Sequence, residues 1–276
     1  MRIWLAGLLG SGLWLGSAMA AEHDPAKVLY LGSVAMDIPA EMHRRLKPLT
    51  DYLSTELKRP VQLRLSTDLN AAQNEVAHGR VDIAYLTPVA YIRAYDQGKV
   101  RLVAKTVTRN EHSFRLMIAV RHDAPMKMPR DLVGKSFAFG DPAAILQRAV
   151  VVGAGVKLEE LGSYRFIGHY DNIARGVASG DFDAGILKDT TAYEWERKGL
   201  RILHASPELP PYNVVVSRRT GDEIYNAVRR AFLGLDPANP AHARVIKSLD
   251  PSYSGFAPTS DAEYDVVRRL IKPFEK

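Results

Sequence analysis

Cysteine is absent from the 276 residues. Its absence removes disulfides, thiol nucleophiles and thiolate metal sites, so the fold must be held by its core. Metal-binding patterns are missing too. The eight histidines (23, 43, 78, 112, 122, 169, 204 and 242) are scattered, with no H-x-x-x-H or H-E-x-x-H pair, which argues against a zinc hydrolase. The D-x-D of GDFDAG, with Asp181 and Asp183, reads as a turn or strand edge rather than a metal site. Neither a G-x-S-x-G elbow nor a P-loop occurs, and the GAG at 153–155 closes a helix rather than opening one. No dense Lys/Arg block interleaved with aromatics occurs, which argues against nucleic acid as a partner. We therefore expect no metal, no cofactor and no catalytic residue.

Long apolar runs are also scarce. The only one is N-terminal: MRIWLAGLLGSGLWLGSAMA carries one charge, Arg2, and ends in an A-x-A pattern at Ala18 and Ala20. It is short for a membrane span and has the flanks of a secretory signal peptide, so residues 1–20 are expected to be removed. The expected product is a soluble, exported chain of about 255 residues, enough for one large domain or two lobes. Losing Arg2 lowers the formal net charge from +6 to +5, a mild excess spread along the chain that can draw small anions into a cleft.

What is present is alternation. KVLYLGS (27–33), VQLRLS (61–66), RVDIAYL (80–86), VRLVAKTV (100–107) and FRLMIAVR (114–121) read as strands. Between them, LKPLTDYLSTEL (46–57) repeats leucine at helical spacing. DLNAAQNEVAHG (68–79) has Asp68 as N-cap, and Pro88 opens a helix that Gly98 closes. KSFAF is a strand leading into FGDPAAILQR (139–148), where Asp141 as N-cap and Pro142 at the first helical position predict a helix over 142–153. Strand YRFIG (164–168), helix 171–179, strand DFDAGILKD (181–189) and strand LRILHAS (200–206) follow. The chain is expected to end in helices, the last opened by a capping box from Ser260 to Glu263. This rhythm implies βαβ units: an α/β protein with largely parallel sheets covered by helices. Ligands of such sheets sit beyond the carboxyl ends of strands. Those ends carry Ser33 and Met36, Tyr85 and Thr87, Asp141, and His169 with Tyr170. Helix N-termini placed there offer backbone N–H groups to an anion.

Four stretches, LKPLTDYLSTEL, GRVDIAYLTPVAY, DLVGKSFAFGDP, and FIGH followed by GVASGDFDAG, run in order through most of residues 27–217. On them the chain resembles the phosphate/phosphite/phosphonate-binding family of periplasmic ABC-transporter substrate-binding proteins. The resemblance implies a two-lobed, type II-like periplasmic-binding-protein fold with a ligand cleft between the lobes. Lobe one would hold 26–112 plus 210–276 and lobe two 113–209, with crossings near Glu111–Arg115 and Pro207–Tyr212. It implies a non-catalytic, monomeric protein that captures a small oxyanion for an ABC permease. A sensor-kinase ectodomain is the alternative partner, and an enzyme with an unrecognised site the second alternative.

The resemblance also points to site residues. Where the family has a hydroxyl-rich S-T-S-G run, this chain has Ala143, Ala144, Ile145 and Leu146. The family's binding histidine matches His169, its first acidic residue falls on Asp189 or Thr190, and its second on Tyr212. Losing that second acid speaks against an amino-phosphonate. Tyr85 matches the family's tyrosine. The expected ligand-binding set is therefore Tyr85, Thr87, Ala143, Ala144, His169, Asp189, Thr190 and Tyr212, with the backbone N–H groups of Ala143 and Ala144 as donors. Arg148 is a further candidate that one helical turn would carry towards solvent.

Overall fold

A computed structural model describes residues 28–34 and 39–275. The signal-peptide segment and Met36 fall outside the described residues. The first half runs β1 (Leu29–Val34), α1 (Pro39–Leu57), β2 (Val61–Ser66), α2 (Leu69–Ala77), β3 (Ile83–Leu86), α3 (Pro88–Asp96) and β4 (Val100–Thr108). The second runs β5 (Leu116–Arg121), β6 (Ser136–Phe139), α4 (Ile145–Gly153), β7 (Ser163–Phe166), α5 (Tyr170–Ser179), β8 (Ala184–Lys188), α6 (Asp189–Glu196) and β9 (Leu200–Ala205). The chain closes with β10 (Asn213–Ser217), α7 (Gly221–Leu233), α8 (Pro240–Leu249), β11 (Tyr253–Ala257) and α9 (Asp265–Ile271).

Two sheets form, ordered β11-β4-β10-β3-β1-β2 and β7-β6-β8-β5-β9. Each has a parallel β-α-β-α-β unit at its heart: β1 between β2 and β3, and β6 between β7 and β8. Both are mixed rather than largely parallel. β10 runs antiparallel to β3 and β4, β11 to β4, and β5 to β8 and β9. The cause is the connectivity. A strand that arrives from the other sheet, or from α8, is not constrained by a right-handed crossover and can enter reversed.

Burial follows the two-residue strand period. Leu29, Leu31, Ile83, Val214 and Val216 face a core closed by α1, α7 and α8, where Met42, Leu46, Leu49 and Leu53 form the buried stripe of α1. Ala84, Leu86 and Val215 on the opposite face join Leu116, Ile118 and Phe137 of the second sheet in one central cluster. Met117, Ala119, Ile173 and Val177 make a third core under α5. The central cluster also takes in Val267 and Ile271 of α9 beside Ala149 and Val150 of α4. The C-terminal helix thus packs against elements of both halves.

The chain passes between the sheets twice, over 109–115 and 206–212. The two crossings are tied by a reciprocal backbone pair, Phe114 N to Leu209 O at 3.0 Å and Leu209 N to Phe114 O at 2.9 Å.

Candidate functional site

In each sheet the order reverses beside the first strand of the unit, between β1 and β3 and between β6 and β8. A crevice opens beyond the carboxyl ends of strands at such points, because the following helices leave on opposite faces. Here both crevices face each other. They enclose a chamber of about 490 Å³, a smaller neck of about 140 Å³, and an outer basin of about 770 Å³. The chamber and neck share Thr87, Ala144, Gln147, Tyr170 and Tyr212, and the neck and basin share Thr108, Phe114 and Lys188. The neck therefore lies between the other two.

The chamber is built from helix starts. Asp68 caps α2, its Oδ1 accepting from Ala71 N at 2.9 Å, as its sequence position predicts. Thr87 caps α3, its Oγ1 accepting from Ala90 N at 3.2 Å. His169 caps α5 through its carbonyl, which accepts from Asn172 N at 3.0 Å and Ile173 N at 3.2 Å, while its imidazole is exposed and makes no capping bond. Gly168 before it has φ +85°, the left-handed region that glycine enters without strain.

The FGDPAAILQR stretch departs from expectation. The helix begins at Ile145, not at 142, and its N-cap is Ala144. Asp141 instead closes a tight turn. Its Oδ1 accepts from Ala143 N at 2.7 Å and its carbonyl from Ala144 N at 2.9 Å. An Asp side chain bonding two residues on competes with the helix start and wins here. The two amides expected to face an anion are therefore already bonded. What the turn presents to the neck is methyl surface. Arg148 curls back, donating from Nη2 to Pro142 O at 2.7 Å, instead of reaching solvent.

Gln147, which sequence reasoning missed, holds this turn. It is buried, its Oε1 accepts from Gly140 N at 2.8 Å, and its Nε2 reaches Tyr170 Oη at 3.4 Å. A Cβ on Gly140 would stand 2.9 Å from Gly168 O, so the two loops can lie this close only with glycine there. A glutamine five residues past a G-D-P turn was the available signal.

An aromatic wall closes one side. Tyr85 stacks on Tyr212 at 5.0 Å between centroids and 19° between planes, and its hydroxyl is hydrogen-bonded to that of Tyr253. Burial raises the phenol pKa of Tyr85, Tyr170 and Tyr212, and pushes that of Tyr253 up to about 12. These hydroxyls are neutral donors at physiological pH.

Six of the eight expected residues are thus brought together: Tyr85, Thr87, Ala143, Ala144, His169 and Tyr212 line the chamber or neck. Asp189 and Thr190 do not. They line the outer basin, beyond Lys188. The Asp189 carboxylate accepts from Arg115 N at 2.8 Å and Thr190 N at 2.7 Å, which ties the start of α6 to the first crossing segment. No group of three or more potential metal ligands occurs among the described residues.

Two α/β halves hinged by paired crossings, with a cleft at facing strand ends, define a two-lobed solute-binding protein. The model of the ABC-transporter phosphonate periplasmic substrate-binding family matches residues 31–264, and the chain belongs to that family. Its members are substrate-binding components of importers and not enzymes. The chain is 24% identical over 267 residues to the Phosphate-import protein PhnD of Mycolicibacterium smegmatis, covering 84% of this chain and 83% of the relative. XAC2383 from Xanthomonas citri bound to ATP shares the fold, with TM-score 0.76 at 19% identity over 90% of this chain and 99% of that one. So does PhnD1 from Prochlorococcus marinus in complex with methylphosphonate, with TM-score 0.72 at 18% identity over 91% and 99%. The family is periplasmic, and no helix among the described residues is long and apolar enough to cross a membrane.

Proposed function

We propose that the chain captures a phosphorus oxyanion carrying an organic substituent and delivers it to an ABC permease. The lobes that close on it would be 26–112 plus 210–276 and 113–209, and the binding set would be Tyr85, Thr87, Ala143, Ala144, His169 and Tyr212. Cleavage of residues 1–20 would release the protein into the periplasm as a monomer. The observation that carries this reading is the paired chamber and neck at the facing strand ends, floored by methyl groups and walled by neutral tyrosines. Its combined space exceeds what inorganic phosphate fills, and its apolar surface favours a substituent. The relatives whose names mention phosphate, methylphosphonate and ATP share a phosphorus oxyanion, which supports the same head group here. The Tyr212 phenol, where the resemblance points to a second acid, supports a substituent other than the amine of an amino-phosphonate.

The test is calorimetric titration of the protein, freed of co-purified ligand by unfolding and refolding, with phosphate, methylphosphonate, propylphosphonate, ATP and sulfate. Saturable one-to-one binding is expected for at least one organic phosphorus oxyanion, and weaker binding for sulfate. No saturable binding of any phosphorus oxyanion overturns the proposal.

A further inference from the structure

Lys188 takes no part in the expected set, yet it occupies the last position of β8, at the order reversal of the second sheet. It lines both the neck and the outer basin. It is the only lysine or arginine lining either the chamber or the neck, among the described residues. The side chain is half-buried, and burial lowers its pKa. No hydrogen bond or ion pair engages its ammonium among the described residues. Its contact is with the Phe114 ring, 5.7 Å away. The two carboxylates that act on it electrostatically are committed elsewhere: Asp189 to two backbone amides, and Asp250 to Ser252 N at 2.8 Å and Oγ at 2.6 Å. A partly desolvated ammonium with no direct ion-pair partner gains from a ligand that supplies one.

Two further carboxylates of the cleft lie away from Lys188. Asp68 and Asp141 line the chamber and neither lines the neck. Of these two linings only that of the neck carries a cation, so an anion is favoured there over the chamber, against the opposing field of Asp189 and Asp250. The neck wall is the run Ala143 to Leu146, where the expected hydroxyls are missing.

We propose that Lys188 is the residue that binds the oxyanion, its ammonium taking the place of the missing hydroxyl donors, with the oxyanion held in the neck and the substituent extending into the wider chamber. This rests on the reading that the ligand is a phosphorus oxyanion. It makes the protein a charge-selecting binder: a dianionic head gains more from Lys188 than its singly charged monomethyl ester. Hydrogen bonds to charged groups are worth enough to change affinity by about 10- to 100-fold.

The experiment titrates native protein, Lys188→Met and Lys188→Arg with methylphosphonate and with its monomethyl ester by calorimetry, alongside unliganded melting curves. Native protein is expected to bind the dianion about tenfold or more tightly than the ester. Lys188→Met is expected to lose about 10- to 100-fold for the dianion and to level the two ligands. Lys188→Arg is expected to keep the preference, and it carries the test if the methionine variant melts early. Native protein that binds methylphosphonate, with both variants binding it equally well and the ester equally tightly, overturns the role of Lys188 and leaves the ligand class standing. Failure of native protein to bind either probe, together with phosphate and ATP, overturns the ligand class and this inference with it.

Discussion

At the scale of single residues, the cleft is governed by side chains that hold backbone rather than ligand. Gln147 spends its carbonyl oxygen on Gly140 N inside a buried turn. Gln147→Ala leaves that amide without a partner and opens a small void, a loss of about 1–3 kcal/mol. Urea denaturation should show the midpoint falling with little change in slope, because the surface exposed on unfolding is nearly unchanged. The neck wall gives the complementary case. Ala143→Ser with Ala144→Thr places hydroxyls where none exist, on the wall beside the position proposed for the oxyanion. Each hydroxyl that reaches the ligand contributes about 0.5–1.5 kcal/mol. Calorimetry should show methylphosphonate affinity rising several-fold in the double variant. Unchanged affinity would mean that the Asp141 turn holds positions 143 and 144 away from the head group.

At the scale of elements, the tyrosines of β3, β11 and the segment before β10 act as one buried unit. Their folded-state pKa values are raised, that of Tyr253 from 10.0 to about 12. A raised acid stabilises the fold fully below its unfolded pKa, and the contribution is lost as pH climbs through the folded value. Melting temperature should therefore hold steady from neutrality to about pH 9 and fall between about 10 and 12. Tyr253→Phe should blunt that fall. The same scale shows what the sequence makes legible. Strong alternation placed β2 over its whole length, Pro88 marked the start of α3, and Asp68 declared itself the cap of α2. The β11 strand escaped because YSGFA is short and interrupted by Gly255 at φ +156°. The α4 start was misplaced because D-P reads as a cap and first turn, whereas the Asp141 carboxylate closes a shorter local ring. Asp189 was legible as an acid at the right distance along the chain. Only the fold shows that its carboxylate faces Arg115 N, since pairing across the crossing segment leaves no mark in local pattern. Lys188 was illegible for the same reason: one lysine at a strand end gains its meaning from the order of the sheet.

At the scale of the whole molecule, we predict that closure is a rotation about the paired crossings. Segments 109–115 and 206–212 are bonded to each other through Phe114 and Leu209, so they bend together rather than independently. The α9 helix packs on elements of both halves, which confines opening to the cleft side. Asp189 fastens α6 to the first crossing, and Asp189→Ala should lower stability by about 1–3 kcal/mol while changing ligand affinity only a few-fold, because its bonds lie outside the chamber and neck. A ligand seated between the lobes engages both and selects the closed arrangement. It also stabilises by mass action, by about 2.7 kcal/mol at a hundredfold excess over Kd. For a chain of this size that corresponds to a rise of about 5–10 °C in melting temperature. Small-angle scattering on the same samples should show a smaller radius of gyration with ligand. A thermal shift with no change in radius would indicate that the lobes are already closed without ligand, and that binding selects among closed states instead of driving a hinge.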